Sequence, residues 1–221
     1  TAIAASGSLT FTGATGQLGQ LVVGNLKTKT ASENIVALVR TPSKAKDLGV
    51  ETREFDYSQL TSLVDSLKGI DTLLLVSGNE IGKRAIQHRN VIESAKQAGI
   101  QWIVYTSLLH ADTSTLSLAG EHLETEKAIK ASGIPYTILR NGWYTENYAG
   151  SIPGALAGGA FLGSAGDGKI SSASRADFAE AAAVVLTTNN HQGKVYELAG
   201  DKAYTLTDLA NELSHQAGKD I

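Results

Sequence analysis

The feature that most constrains the fold of this chain is a glycine-rich turn between an apolar run and a helical segment. The stretch T-G-A-T-G-Q-L-G at residues 12–19 follows the apolar run 8–12, and leucine and valine then recur at three- and four-residue spacing. Glycine at 13, 16 and 19 lets the backbone turn sharply, approach a pyrophosphate and pack the helix on the sheet. The motif favours a dinucleotide site over a plain strand-to-helix turn, because a helix N-terminus offers free N–H donors to an anion.

Apolar runs alternate with helix-like segments over at least the first 140 residues. The runs lie at residues 8–12, 34–40, 50–55, 72–77, 102–107 and 136–140. Most of them lack polar alternation, as expected of strands that are covered on both faces. The alternation predicts repeated βαβ units and an α/β fold, namely a Rossmann-type doubly wound parallel sheet. We expect residues 1–148 to form this NAD(P)-binding core.

The character of the sequence changes after Tyr148. Residues 150–168 hold seven glycines and Pro153, which predicts loops that shape a pocket rather than a buried element. Helical segments at 176–186 and 206–217 follow, with a strand at 194–198 between them, and the last helix is expected to end at Gly218. This change marks residues 149–221 as a second segment of the chain, distinct from residues 1–148.

Composition and charge exclude several classes of function. The chain of 221 residues has no cysteine, which rules out disulfides, thiolate catalysis and cysteine-ligated metals. A formal net charge of −3 gives no general attraction for nucleic acid, and no apolar run approaches the ~20 residues of a membrane span. The five histidines have no metal-binding spacing, so no metal site is expected. Because residues 1–9 lack the features of a secretory signal, the cytoplasm is the expected location.

The end of the second predicted strand indicates which dinucleotide is bound. NAD-specific sites place Asp or Glu there, whereas this chain has Arg40, followed one helical turn later by Lys44. A guanidinium can grip a phosphate with two hydrogen bonds and stack on adenine. NADP is therefore favoured over NAD, and the alternative is that the two side chains form only a solvated surface pair. Asp56, after the third run, is expected to contact the adenine edge or to cap a turn.

Several separated motifs together resemble one family. Besides the glycine turn they are V-R-x-P-x-K at 39–44, Y-T-S at 105–107, G-I-P-Y-T at 133–137 and L-R-N-G-W-Y-T-E-N at 139–147. Over essentially residues 9–221 the chain resembles the NmrA-like atypical short-chain dehydrogenases/reductases. Within that family it is most similar to the bacterial NADPH-dependent quinone reductases, with the triphenylmethane reductases next. The resemblance implies an enzyme that transfers hydride from NADPH directly to a quinone or similar planar acceptor, without flavin. It also implies that residues 149–221 form a small C-terminal substrate lobe whose segments return to complete the core.

The resemblance also implies which residues contact the cofactor. The glycine turn would hold the pyrophosphate and Arg40 the 2′-phosphate. The ends of the fourth and fifth strands would approach the nicotinamide ribose, and the segment after the sixth strand would lie along the nicotinamide. The expected contacts are Gly13, Ala14, Thr15, Gly16, Gln17, Leu18, Arg40, Lys44, Ser77, Gly78, Thr106, Ser107, Asn141, Gly142, Trp143, Tyr144 and Glu146.

Both ends of the chain depart from the family pattern. Residues 1–7 are not part of the family's usual start. Family members also continue for some tens of residues beyond the position of Ile221. We therefore expect part of the substrate lobe to be missing here.

The proton relay of classical short-chain dehydrogenases is not present. Counting back from G-I-P, their Tyr-x-x-x-Lys pair falls here on Leu118 and His122. Quinone reduction needs that relay less than ketone reduction, because the quinol oxyanion is better stabilised and can take a proton from water. The protein's task then becomes positioning.

Three residues are candidates for a catalytic role. His122 and Glu126 are separated by one helical turn and can share a face. His122 is expected either to be oriented by that carboxylate as a proton donor or to make a ribose contact or surface pair without proton transfer. Ser107 and Tyr144 complete the candidate catalytic set.

Aromatic residues after the sixth strand are candidates for holding a planar substrate. Trp143 and Tyr144 could stack on it, or they could simply plug the end of the sheet. Asn147 and Phe161 are the other expected substrate contacts.

Four further residues receive structural or open interpretations. His88 falls in step with the apolar residues of its helix, so we expect a hydrogen-bonded packing residue. His110 follows the fifth strand near the ligand edge, and its role stays open. Arg175 and Asp177 are expected to pair at the start of a helix, where an aspartate suits the helix dipole.

Two functions of different classes follow from these patterns. The first is an NADPH-dependent reductase of small-molecule quinones that acts as a monomer or homodimer. The second is a non-catalytic regulator of the NmrA type that senses the ratio of NADP to NADPH, and the absence of the Tyr-x-x-x-Lys pair keeps it open. An epimerase or dehydratase of nucleotide sugars needs the absent tyrosine and is disfavoured.

Overall fold

A seven-stranded parallel sheet forms the centre of the molecule. The computed structural model describes residues 7–221, so the expected N-terminal extension and the start of the chain lie almost entirely outside the described residues. The sheet order is β3-β2-β1-β4-β5-β6-β7, and all neighbouring strands are parallel. The predicted Rossmann-type sheet is therefore confirmed. Its strands are β1 (Leu9–Thr12), β2 (Ile35–Val39), β3 (Glu51–Glu54), β4 (Thr72–Leu75), β5 (Trp102–Leu108), β6 (Tyr136–Asn141) and β7 (Lys194–Leu198).

Helices cover the sheet on both faces. They are α1 (Gln17–Lys27), α2 (Leu60–Ser66), α3 (Arg84–Ala98), α4 (Ala119–Ala131), α5 (Ile152–Gly158), α6 (Arg175–Thr187) and α7 (Leu206–Ala217). Residues of α1 and α6 pack in the apolar core on one face, and residues of α2, α3 and α4 pack in the core on the other. Strand β2 is buried along its whole length, because alternate side chains enter the two cores.

The glycine-rich segment 150–168 is only partly loop, which corrects the prediction. A 3₁₀ helix at Thr145–Ser151 leads into α5, which ends at Gly158 and is followed by Gly159 in the left-handed conformation with φ of 70°. Pro153 lies at the start of α5, where the missing N–H costs no hydrogen bond. The glycines misled the prediction because a seven-residue helix on the surface needs few apolar residues. Only the part after α5 is irregular.

The segments after α5 contribute to the core of the sheet domain. Helix α6 supplies buried residues such as Phe178 to one core, and β7 extends the sheet beyond β6. Helix α7 begins with a capping box between Thr205 and Asp208 and ends at Gly218 with φ of 62°. Both ends of α7 lie where the sequence predicts them.

None of the helices within residues 7–221 combines the length and the apolar character that crossing a membrane requires.

Candidate active site

A cleft of about 630 Å³ opens at the carboxyl edge of the sheet. Strand β1 pairs with β2 on one side and with β4 on the other, so the order of the strands reverses there. Open α/β sheets bind ligands at such a switch point. Ten of the predicted cofactor contacts line the cleft: Gly13, Thr15, Gly16, Gln17, Leu18, Arg40, Lys44, Ser77, Gly78 and Tyr144.

The glycine turn between β1 and α1 leaves backbone amides open to the cleft. Gly13 has φ of 66°, and a Cβ on Gly19 would lie 2.2 Å from the Gly13 carbonyl oxygen. Helix α1 has no side-chain cap at Gly16 and no acidic residue in its first turn. Uncapped amides at a helix N-terminus favour an anion. The turn therefore fits the phosphates of a dinucleotide.

Cationic side chains border the cleft beside β2. Arg40 directly follows the strand, and its side chain is 67% exposed, with Nη1 3.6 Å from a carboxylate oxygen of Glu80. Lys83 is 3.5 Å from the other oxygen of the same carboxylate. Lys44 also lines the cleft. Arg40 and Lys44 are thus accessible to an anionic ligand.

Residues after β3 close the same end of the cleft. Asp56 Oδ1 accepts a hydrogen bond of 2.9 Å from the Ser58 amide, so the predicted turn cap is confirmed. Tyr57 donates to the Val76 carbonyl over 3.0 Å, and burial raises the pKa of its phenol. The lining also includes five residues that the sequence analysis did not single out, although they follow the third and fourth predicted strands: Tyr57, Asn79, Glu80, Arg84 and Gln87.

The loop at residues 78–84, after β4, is tied to two helices. Arg84 Nε donates to the Gly78 carbonyl over 2.7 Å. The Glu121 carboxylate accepts from the Gly82 amide at 2.9 Å and from Arg84 Nη1 at 3.0 Å. These bonds fix this wall of the cleft to the starts of α3 and α4.

His88 is the hydrogen-bonded packing residue that its helical position predicts. It is fully buried, and Nε2 accepts from the Gly78 amide at 2.9 Å. Nδ1 therefore carries the hydrogen and donates over 3.0 Å to Thr125, whose hydroxyl donates to the Glu121 carbonyl. Burial lowers the pKa of His88 to about 3, so the ring is uncharged at neutral pH.

His122 lies on the first turn of α4 and is oriented by a phenol, not by a carboxylate. Its Nδ1 is 2.7 Å from the Tyr105 hydroxyl. Glu126 bonds Ser107 and Arg140 instead, so the expected His122–Glu126 pair is wrong. Burial, with help from the nearby Arg84 charge, lowers the pKa of His122 to about 4. The ring is uncharged at neutral pH, which disagrees with a role as an acid there.

A buried ion-pair network joins β5, α4, β6 and β7. Arg140 donates through Nε and Nη2 to both oxygens of the fully buried Glu126, at 2.9 and 2.8 Å. Its Nη1 lies 2.8 Å from Glu197 and 3.0 Å from Asp112. The Glu126 hydrogen bonds raise the pKa of Arg140, and the bond from Arg140 lowers the pKa of Asp112. Ser107 donates its hydroxyl hydrogen to Glu126 over 2.6 Å, which leaves its oxygen free only to accept.

The loop after β5 is hydrogen-bonded to this network through Glu197. His110 has a positive φ of 53°, and its amide donates to Glu197 over 2.8 Å. Its imidazole Nδ1 is 3.6 Å from the same carboxylate. His110 lies outside the lining of the cleft.

The end of β6 and the segment after it bring an unpaired acceptor and an aromatic ring to the carboxyl edge. Asn141 is 4% exposed, and its Oδ1 has no hydrogen-bond partner among residues 7–221. Tyr144 lines the cleft, packs on Phe178 with ring centroids 5.2 Å apart and lies 4.7 Å beneath the Arg175 guanidinium. Burial raises the pKa of Tyr144, so its phenol stays protonated.

Arg175 has different partners from those the sequence predicts. Its amide donates to the Glu146 carboxylate over 2.9 Å, and its Nη2 donates to Asn147 over 3.0 Å. Asp177 caps α6 together with Ser174, as expected of an aspartate at a helix start. The predicted Arg175–Asp177 pair is therefore wrong, because each side chain meets a nearer partner.

Three aromatic side chains form a row outside the cleft lining. The Trp143 and Tyr148 ring centroids are 6.3 Å apart, and those of Tyr148 and Phe161 are 6.2 Å apart. Trp143 is 47% exposed, so it does not plug the end of the sheet. The remaining predicted site residues also lie outside the lining: Ala14, Thr106, Ser107, His122, Asn141, Gly142, Glu146 and Asn147.

No group of three or more potential metal ligands occurs in the part of the chain that the structure describes.

Comparison with known proteins gives a family match over most of the chain. A model of the NAD(P)H-binding family matches residues 13–189, which include the glycine turn, the loop after β4 and β6. Quinone oxidoreductase 2 of Escherichia coli (strain K12) is 56% identical over 216 residues, which is 96% of this chain and 76% of that protein.

Two solved structures have nearly the same fold. A crystal structure of an NADPH-dependent quinone oxidoreductase from Escherichia coli, complexed with NADPH, superposes with a TM-score of 0.94 at 57% identity. It matches over 96% of this chain and 76% of its own. The triphenylmethane reductase of Citrobacter sp., complexed with NADP(H), has a TM-score of 0.94 at 40% identity over 97% of this chain and 77% of its own.

Proposed function

Because this chain belongs to the NmrA-like, NAD(P)H-binding family, we propose that it is an NADPH-dependent reductase of quinones or similar planar acceptors. The observation that carries the proposal is that the open amides of α1 and the cations Arg40 and Lys44 border one cleft. The name and the NADPH complex of the relatives from Escherichia coli support the same activity. No flavin is required, because hydride passes directly to the acceptor.

Different residues of the cleft contact different parts of the cofactor. The amides at the start of α1 hold the pyrophosphate, and Arg40 and Lys44 hold the 2′-phosphate. The ends of β4 and β5 approach the nicotinamide ribose. Asn141, at the end of β6, lies beside the nicotinamide. When bound, NADPH supplies the hydride.

The acceptor is held beside the segment after β6. Tyr144 lines the cleft, and the row of Trp143, Tyr148 and Phe161 lies further along the same segment and α5. Aromatic faces pack well against a flat ring. Residues 149–221 thus supply part of the substrate lobe as well as α6 and β7 of the core, while residues 1–148 bind the cofactor. The chain acts in the cytoplasm as a monomer or homodimer.

The proposed activity is tested by mixing purified, flavin-free protein with NADPH and simple benzoquinones. We expect NADPH absorbance to fall only when the quinone is present, and hydroquinone to form in equal amount. An absence of NADPH oxidation with every quinone tested would refute the proposal.

A non-catalytic sensor of the NADP to NADPH ratio is the second candidate. It is favoured by Leu118 at the position of the usual tyrosine and by Ser107, whose hydrogen is committed to Glu126. Similar affinity for NADP and NADPH, together with no turnover, would support the sensor. A measurable rate of quinone reduction would exclude it.

A further inference from the structure

The hydrogen bond between Tyr105 and His122 determines which ring nitrogen carries the hydrogen. Tyr105 is fully buried, and within residues 7–221 the one hydrogen bond of good geometry that its hydroxyl makes is with His122 Nδ1, at 2.7 Å, although the Thr125 hydroxyl also lies close to it. If Nδ1 donated to the phenol, the phenolic hydrogen would be left with only the Thr125 hydroxyl, which already accepts from His88 Nδ1 and donates to the Glu121 carbonyl. A buried hydroxyl without a well-placed acceptor is unfavourable. The phenol therefore donates to Nδ1, and the ring hydrogen of neutral His122 lies on Nε2.

The surroundings of His122 keep this ring neutral. Arg84 and His88 face it from α3, Tyr105 faces it from β5, and Glu126 lies one turn further along α4. Glu126 is already neutralised by Arg140 through two hydrogen bonds. The position on the first turn of the helix also disfavours a positive charge. Nothing around the ring stabilises the imidazolium form enough to populate it at neutral pH.

The Nε2–H group of His122 is open to a ligand. It has no hydrogen-bond partner among the described residues, and Asn141 Oδ1 is the sole fully sealed and unpartnered side-chain atom within them. Nε2 is therefore reachable from outside. His122 lies at the carboxyl edge of the sheet, in the charge field of Arg84, which lines the cleft.

We propose that His122 is a neutral hydrogen-bond donor to the carbonyl oxygen of the bound acceptor, and that Tyr105 is the positioning residue that fixes its tautomer. This inference rests on the proposed reductase function. Hydride from NADPH, which becomes NADP⁺, would bond to one carbonyl oxygen of the quinone as the ring becomes aromatic. The other C=O bond becomes a C–O⁻ bond, and the Nε2–H bond stays intact while it stabilises that charge. The proton that completes the hydroquinone comes from water.

A second tyrosine–histidine pair in the molecule provides a matched control. Tyr196 on β7 places its hydroxyl 2.8 Å from His191 Nδ1. His191 Nε2 is 2.7 Å from Thr188 Oγ1, so both of its ring nitrogens have protein partners. His191 precedes β7 near the amino edge of the sheet, Tyr196 is the third residue of β7, and neither lines the cleft.

The test compares Tyr105→Phe with Tyr196→Phe. Each variant removes one hydroxyl from a tyrosine–histidine pair. Nitrogen NMR of the imidazoles is expected to show His122 as the Nε2–H tautomer in the unmodified protein and as a mixture in Tyr105→Phe. We expect kcat for quinone reduction to fall about tenfold in Tyr105→Phe with unchanged NADPH affinity, and to stay unchanged in Tyr196→Phe.

Substitutions of His122 itself keep the proposal falsifiable if Tyr105→Phe folds poorly. His122→Gln retains an N–H donor and is expected to keep kcat within about threefold, whereas His122→Leu is expected to lose about 100-fold. Equal loss in both, or an unaltered kcat in Tyr105→Phe, would overturn the donor role. A loss of NADPH affinity without a loss of kcat would overturn it in favour of a cofactor contact.

The outcome for His122 is separable from the outcome for the reductase function. Turnover by the unmodified protein tests the proposed function, and the ratio between variants tests His122. An unmodified protein that turns over, with variants that match it, refutes only the present inference.

Discussion

The two sides of the carboxyl edge of the sheet are built in different ways. On the β1–β2 side, the cleft presents backbone amides and exposed side chains, and Arg40 directly follows a strand. On the β5–β6 side, Ser107, Glu126 and Arg140 come from three elements and satisfy one another in a buried network. The β1–β2 side has free hydrogen-bonding groups for a ligand. On the β5–β6 side, most of the polar groups are already hydrogen-bonded to one another, which makes that side rigid.

Because of this contrast, one side contributes mainly to the affinity for the ligand, and the other mainly to the fixed geometry of the site. Free amides and accessible cations attract a phosphate and contribute affinity directly. A buried and fully paired network contributes little net attraction for a ligand, but it holds the neighbouring Ser107 and the loop after β5 in one geometry. Substitutions on the two sides are therefore expected to affect different measurements.

The largest expected effect is on the buried side, for Glu126→Ala. Arg140 would lose both hydrogen bonds to a fully buried carboxylate and would remain an incompletely compensated charge. We expect the free energy of unfolding to fall by about 3–5 kcal/mol. Urea unfolding measures it, with Glu124→Ala, an exposed position on the same helix, as the control. A loss below about 1 kcal/mol would mean that the network does not stabilise this side.

A smaller effect, on binding alone, is expected for Arg40→Ala on the open side. The substitution removes the guanidinium proposed to hold the 2′-phosphate, so NADPH binding should weaken by about 1.5–3 kcal/mol, with little change for NADH. Calorimetric titration of both nucleotides measures the difference. Arg89→Ala, an exposed arginine outside the cleft, serves as the control. Equal weakening of NADPH and NADH would refute the 2′-phosphate assignment.

The smallest effect is expected for Glu80→Gln. Its carboxylate is 3.6 Å from Arg40 and would compete with the 2′-phosphate for the guanidinium. Because the pair is exposed, NADPH binding should tighten by at most about 1 kcal/mol, and less at high salt. NADH binding should not change. Weaker NADPH binding would instead mean that Glu80 orients Arg40 for the ligand.

The open side of the edge could be predicted from the sequence because its features are local. The glycine turn needs three glycines within seven residues, and the position of Arg40 follows from the end of an apolar run. The parallel sheet follows equally directly from the repeated alternation of strands and helices. These signals do not depend on the partners that distant side chains choose.

The buried side could not be predicted, because its contacts depend on strand register and helix rotation. Ser107 and Arg140 are register partners on β5 and β6, which brings both to the same carboxylate. The helical spacing of His122 and Glu126 is compatible with a mutual contact, yet each residue has a better partner in a neighbouring strand. Spacing along one helix shows which residues share a face, not which neighbours they meet.

The ties that Arg84, Glu121 and His88 make to the loop at residues 78–84 have a consequence for the catalytic cycle. They set the shape of this rim during folding, so nucleotide binding does not bear the entropy cost of ordering it. Oxidised nucleotide can then dissociate without a hinge movement of this loop. If the proposed phosphate contacts are right, we expect nucleotide exchange at this border to depend on how fast the phosphates separate from the amides and cations.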